Sequence, residues 1–171
     1  MGHPLSEVLQ RGSEEAGDLG LRCVPTNSMY SRPRKETPRD TISYEIDMLE
    51  FCSQRLPDIC DKSDPERNLY LEGFLLHYRN TIRFFSGKGH RKDDLSTDKP
   101  LDWADRELDA ADVAEIKEPA KLLDGRYHSD VSKYLQHCTL QRSKQGRDWD
   151  VERMMQEINP IIAAFEAAFP R

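Results

Sequence analysis

Cysteine is scarce in this chain and never paired in sequence. Cys23, Cys52, Cys60 and Cys138 form no CxxC unit, which excludes a zinc knuckle and a thioredoxin-type redox motif. Thiols so dispersed fit a reducing, cytoplasmic compartment, with Cys52 and Cys138 acting as small hydrophobes on apolar faces. No apolar run approaches the roughly 20 residues that cross a bilayer. The opening MGHPLSEVLQRG has no apolar core of a secretory signal. MGHPLS fits the loose myristoylation pattern, but Pro4 speaks against it. There is no strand-like alternation, no internal repeat and no Gly-rich phosphate fingerprint. SGKGHRK lacks both the spacing of a phosphate loop and a preceding strand. No serine–histidine–acid spacing is recognisable. His137 and Cys138 point about 100° apart on a helix, which excludes a dyad between them.

What is present is charge and helical periodicity. With 37% hydrophobic and 33% charged residues, the chain is polar but carries enough apolar surface for one core. The net charge of -6 argues against a general polyanion binder, although a local basic patch is compatible with it. Residues 1–39 are rich in Gly, Ser, Pro and charge, with little periodicity, and are expected to form a flexible N-terminal arm that orders on a protein partner. Residues 40–171 are expected to be the helical domain.

Four amphipathic stretches follow. Ile42, Ile46, Leu49, Cys52 and Leu56 make one stripe, with Asp40 or Thr41 as the expected cap and Pro57 as the stop. SDPERNLYLEGF opens a second helix, with Ser63 or Asp64 capping, Pro65 at the first helical position and Gly87 at the far end. Leu71, Phe74, Leu75, Tyr78, Ile82 and Phe85 share its main face, and Leu69, Gly73 and Leu76 lie on the other side. A helix apolar on two sides is central or lies at an oligomer interface. Residues 86–103 read as a long loop. The acidic turns that follow are expected to break near Pro119, and a third helix is expected over 120–142 on Leu123, Tyr127, Val131, Tyr134, Leu135 and Cys138. The fourth carries Val151, Met154, Met155, Ile158, Ile161, Ile162 and Phe165, and Pro160 is expected to kink or split it. The expectation is all-α: an up-and-down bundle of four to five helices.

Two segments place polar groups on core-like helices: FLLHYRN at 74–80 and LQHCTLQR at 135–142. One reading makes His77, Asn80, His137 and Arg142 a buried network that fixes helix register. The other is phosphodiester chemistry. Imidazoles near their free pKa of ~6.5 move protons at neutral pH, and guanidiniums hold phosphate. Arg79, Arg83, Lys88, Arg91 and Lys92 form one basic island, and Lys133, Arg142, Lys144 and Arg147 another. Asp93, Asp94, Asp98, Asp102 and Asp105 could hold a cation, but their spacing matches no metal loop and reads as a solvated segment.

FLLHYRN, the RKDDL loop with Trp103, LQHCTLQR and the final helix led by Trp149 together resemble an uncharacterised bacterial group of small helical proteins, and more distantly the HEPN superfamily of helical bundles, over about 44–169. That superfamily includes metal-independent ribonucleases of toxin–antitoxin and phage-defence systems, often dimeric, and also non-catalytic members. The resemblance implies an arginine followed by a polar residue and then, four to six residues on, a histidine. Arg79-Asn80 matches the start, but Phe84, Phe85 and Ser86 stand where the histidine would be. Arg83 and His90 match the spacing across SGKG. Two functions follow as expectations. One is an RNA-directed homodimer without cofactor or metal, in which His77 and His137 transfer protons and Arg79, Asn80, Arg83 and Arg142 hold substrate. The other is a non-catalytic bundle that binds a protein partner or assembles into a larger complex.

Overall fold

Thr37 opens the first helix, not Asp40 or Thr41. Its hydroxyl accepts the Asp40 N–H while the Asp40 carboxylate accepts the Thr37 N–H at 2.8 Å, a reciprocal capping box with Pro38 at the first helical position. The expected cap residue Asp40 is therefore the inner half of the box. The computed structural model describes residues 37–59, 64–89, 91–104, 106–136 and 148–170, which lie in a unit spanning Arg34–Arg171. Of the expected arm at 1–39, residues 1–36 lie outside the described residues, while Thr37 caps the first helix and Pro38 and Arg39 already belong to it. Helix α1 is Pro38–Arg55 and α2 is Pro65–Ser86. Helix α3 covers 110–136 as a turn at Ala110–Asp112, a π-helical stretch at Val113–Lys117 and a long segment at Glu118–Gln136. Helix α4 is Val151–Ala168. Single 3₁₀ turns occupy Leu56–Asp58 and Pro100–Asp102, and no strand occurs among the described residues, so the fold is an all-α up-and-down bundle.

The expected stripes are the core. Ile42, Ile46, Leu49, Cys52 and Leu56 of α1 are buried, as are Leu71, Phe74, Leu75, Tyr78, Ile82 and Phe85 of α2. Helix α2 packs along both α1 and α3 and is the central element. Its second apolar side divides. Gly73 faces α1, where an added Cβ would stand 3.0 Å from the Cys52 sulfur, whereas Leu69 and Leu76 remain exposed. Phe84, Phe85, Trp103, Phe165 and Phe169 stack edge-on and tilted at 4.9–5.6 Å between centroids, closing the end of the bundle.

The two prolines expected to interrupt helices do not divide them. Pro119 does not break the chain. The Val113–Lys117 π stretch lies immediately before it, and Glu118 N–H reaches back five residues to the Val113 carbonyl. A widened turn there relieves the clash a proline ring makes with the carbonyl four residues earlier, and the helix runs through from Ala110. Pro160 does not split α4. It is exposed on the outer face, where water can satisfy the carbonyl it leaves unbonded.

The segment after α2 is pinned rather than loose. Gly87 takes φ 77° and ends the helix, its N–H on the Arg83 and Phe84 carbonyls. The Thr97 hydroxyl donates to the Phe84 and Phe85 carbonyls at 3.2 and 2.8 Å, occupying more of the acceptors a helix end leaves open. Lys99 Nζ gathers the Lys92 and Asp94 carbonyls, and Trp103 Nε1 donates to Ser96. At the end of α4, Arg39 donates to the Phe169 carbonyl and stacks on Phe165, while Arg106 donates to the Ala168 carbonyl and stacks on Phe169.

Two predictions follow from these contacts. Gly87→Ala would place a Cβ 2.5 Å from an Asp98 oxygen at a positive φ. Urea unfolding should show it less stable by about 1–3 kcal/mol, and an unchanged midpoint would contradict the tight cap. The Arg106 guanidinium on the buried Asp112 carboxylate holds that carboxyl below its ordinary range. A folded pKa below the unfolded value of ~3.9 adds stability above that pH and loses it as pH falls through the folded value. The stability advantage over Asp112→Asn should therefore be full at pH 6–7 and shrink on acidification below about pH 4.

Candidate functional site

Toward the start of α1 and the end of α2 lies a cleft of about 430 Å³. Helix α1 contributes Thr41, Ile42 and Glu45, and α2 contributes Asn80, Thr81, Arg83 and Phe84. The pinned segment supplies the third wall with Gly89, Asp93, Asp94 and Leu95. This wall exists because the carbonyls ending α2 draw Thr97 back onto the helix end.

Glu45 organises one side. Its Oε2 accepts from His77 Nδ1 at 2.8 Å and from Asn80 Nδ2 at 3.1 Å. The His77 and Asn80 side chains lie on neighbouring turns of α2, so one carboxylate from α1 spans both. An ionised carboxylate only accepts, so Nδ1 carries the His77 proton. The ring is 8% exposed and meets the edge of Tyr44 at 5.7 Å. The neighbour Thr81 is 2% exposed, and its hydroxyl finds no hydrogen-bond partner among the described residues.

A second polar chain joins α2 to α3. Arg83 Nη1 donates to His128 Nε2 at 2.9 Å, and Nη2 donates to the Lys88 carbonyl. Accepting at Nε2 requires neutral imidazole with the proton on Nδ1, which lies 3.7 Å from Asp124 Oδ1. Lys88 Nζ bonds the other Asp124 oxygen at 2.7 Å. Arg79, one turn before Arg83, is half-buried and makes no hydrogen bond or ion pair among the described residues. Burial and the neighbouring Arg83 charge hold its guanidinium pKa below the ordinary arginine range.

The expected residues are thus partly assembled. His77 and Asn80 meet on Glu45, and Asn80 and Arg83 line the cleft. Arg79 sits beside Arg83 but does not line the cleft. His137, Arg142 and His90 lie outside the described residues, and with them most of the second basic island. The first island is partly neutralised by the fold, since Lys88 pairs with Asp124. Of the carboxylates weighed for a cation, Asp98 pairs with Lys117 and Asp94 accepts the Arg91 N–H, while Asp105 lies outside the description. Among the described residues no group of three potential ligands could hold a metal ion.

Sequence reasoning missed Glu45, Asp124 and His128. The i,i+4 spacing of Asp124 and His128 was a readable signal. Glu45 carried none, because its partners lie 32 and 35 residues away. In comparisons with known proteins, no family model, curated protein or solved structure matches the chain.

Glu45→Ala would strand two donors, one of them buried. Urea unfolding should show a loss of about 1–3 kcal/mol, and a neutral substitution would contradict the bridging role.

Proposed function

We propose that this chain is a non-catalytic helical bundle that binds a protein partner, with the cleft between α1, α2 and the pinned segment as its binding site. The observation that carries this reading is the commitment of His77. The imidazole expected to move protons is held at Nδ1 by Glu45 and is nearly enclosed. The cleft beside it is lined by three carboxylates, Glu45, Asp93 and Asp94, which repel a phosphate chain. Such a cleft, with apolar Ile42, Phe84 and Leu95 among its polar groups, suits a side chain offered by another protein. The unpaired, buried Cys52 thiol suits a cytoplasmic setting. No described helix is long and apolar enough to cross a membrane.

A second reading is favoured by Arg79. A half-buried guanidinium that makes no hydrogen bond or ion pair among the described residues, beside a second arginine that reaches His128 across the seam, is an arrangement that attracts phosphate. In this reading the chain is an RNA-directed protein of the HEPN toxin or defence kind. It acts without metal as a homodimer, joined through the α2 face that bears exposed Leu69 and Leu76.

One set of measurements separates the two. Purified protein, His77→Ala and Arg79→Ala are incubated with RNA in chelator, and their sedimentation is followed with concentration. Partner binding without catalysis predicts negligible cleavage by all three. Cleavage by a dimeric wild type, lost in folded His77→Ala, would contradict it and establish the second reading.

A further inference from the structure

We propose that the cleft receives a cationic side chain, the guanidinium of an arginine carried by the partner protein. The inference rests on the partner-binding reading and names the chemistry of that site.

Three acceptors are available around the cavity. Glu45 makes both of its hydrogen bonds through Oε2, so Oε1 accepts none among the described residues. Asp93 is exposed and makes no hydrogen bond among the described residues. Thr81 lines the cleft at 2% exposure, and its hydroxyl has no partner among the described residues. A buried hydroxyl left unmatched costs stability, about 1–3 kcal/mol in the usual case, unless a ligand supplies the missing bond. Asp94 adds negative charge on the third wall, although one of its oxygens already accepts the Arg91 N–H.

The opposing charge is turned elsewhere. Among the described residues lining the cleft, Arg83 is the one cation. Its two terminal nitrogens bond His128 and the Lys88 carbonyl, neither of which lines it. The cavity therefore presents carboxylates from two different elements, a free hydroxyl and an apolar strip of Ile42, Phe84 and Leu95. Arginine suits this arrangement better than lysine. Its planar fork of five donors can bond separated acceptors at once, and its stem and flat face pack on apolar and aromatic surface.

The test uses the full chain, labelled with nitrogen-15, and three capped peptides, Ala-Arg-Ala, Ala-citrulline-Ala and Ala-Glu-Ala. The arginine peptide should shift the amides of Thr41, Glu45, Thr81 and Asp93, with affinity that falls as salt is added. Citrulline, equal in shape but uncharged, should bind about tenfold more weakly or worse. Asp93→Asn and Thr81→Val should each weaken the arginine peptide by about threefold to tenfold. Thr81→Val should melt no lower than wild type, because it removes only an unmatched hydroxyl, so its weaker binding would not reflect unfolding. If citrulline or glutamate peptides move the same amides equally well, the cationic assignment fails and the cleft remains a binding site. If no peptide moves these amides, the cleft is not the binding site, and the arginine assignment falls together with the partner-binding reading of the cleft.

Discussion

The Glu45 carboxylate, shared between His77 and Asn80, is the contact on which the rest of this end of the molecule depends. It comes from a position beside the α1 stripe, one residue before buried Ile46. A charge placed there is tolerable only if α2 answers it with donors, and α2 does so from two successive turns. The bond sets the facing of the two helices where Gly73 does not, since the glycine lets the backbones approach near Cys52, further along α1. It also decides what His77 can do. An imidazole that gives its Nδ1 proton to a carboxylate is oriented and held, as a structural tie would be.

The cleft beside this bridge is a by-product of ending a helix. Helix α2 stops at Gly87 because its last carbonyls need donors and a left-handed residue can supply one. Thr97 supplies others, and to do so the chain must return across the helix end. Lys99 and Trp103 hold the returning segment by its carbonyls, and the aromatic cluster of Phe84, Trp103, Phe165 and Phe169 seals it from below. A wall bearing Asp93 and Asp94 is thereby fixed opposite Glu45. The same economy appears at the end of α4, where Arg39 and Arg106 take the last carbonyls and cover Phe165 and Phe169.

Local physics was legible in the sequence, and long-range pairing was not. The periodic residues from Ile42 to Leu56 and from Leu71 to Phe85 are buried as their spacing implies, and Pro65 and Gly87 bound α2 as proline and glycine should. Pro119 inside α3 was misread because a proline's cost depends on its surroundings, and here it follows a π stretch that widens the turn before it. The histidine and asparagine of α2 were visible as misfits, but their partner was not. Nothing local distinguishes Glu45 from the other acids of α1. Arg83 was expected to act with distant basic groups, and the fold instead gives it His128, whose i,i+4 relation to Asp124 was the one available hint.

The central tie is the hydrogen bond between one imidazole and one carboxylate. Long-range nitrogen–proton correlation spectra of the His77 imidazole read which nitrogen carries hydrogen. With Glu45 as its partner, His77 should carry hydrogen on Nδ1, and Glu45→Gln should change that pattern. A proton on Nε2 with Nδ1 bare, unaffected by the state of residue 45, would mean that the bridge does not exist and that His77 is free for other chemistry.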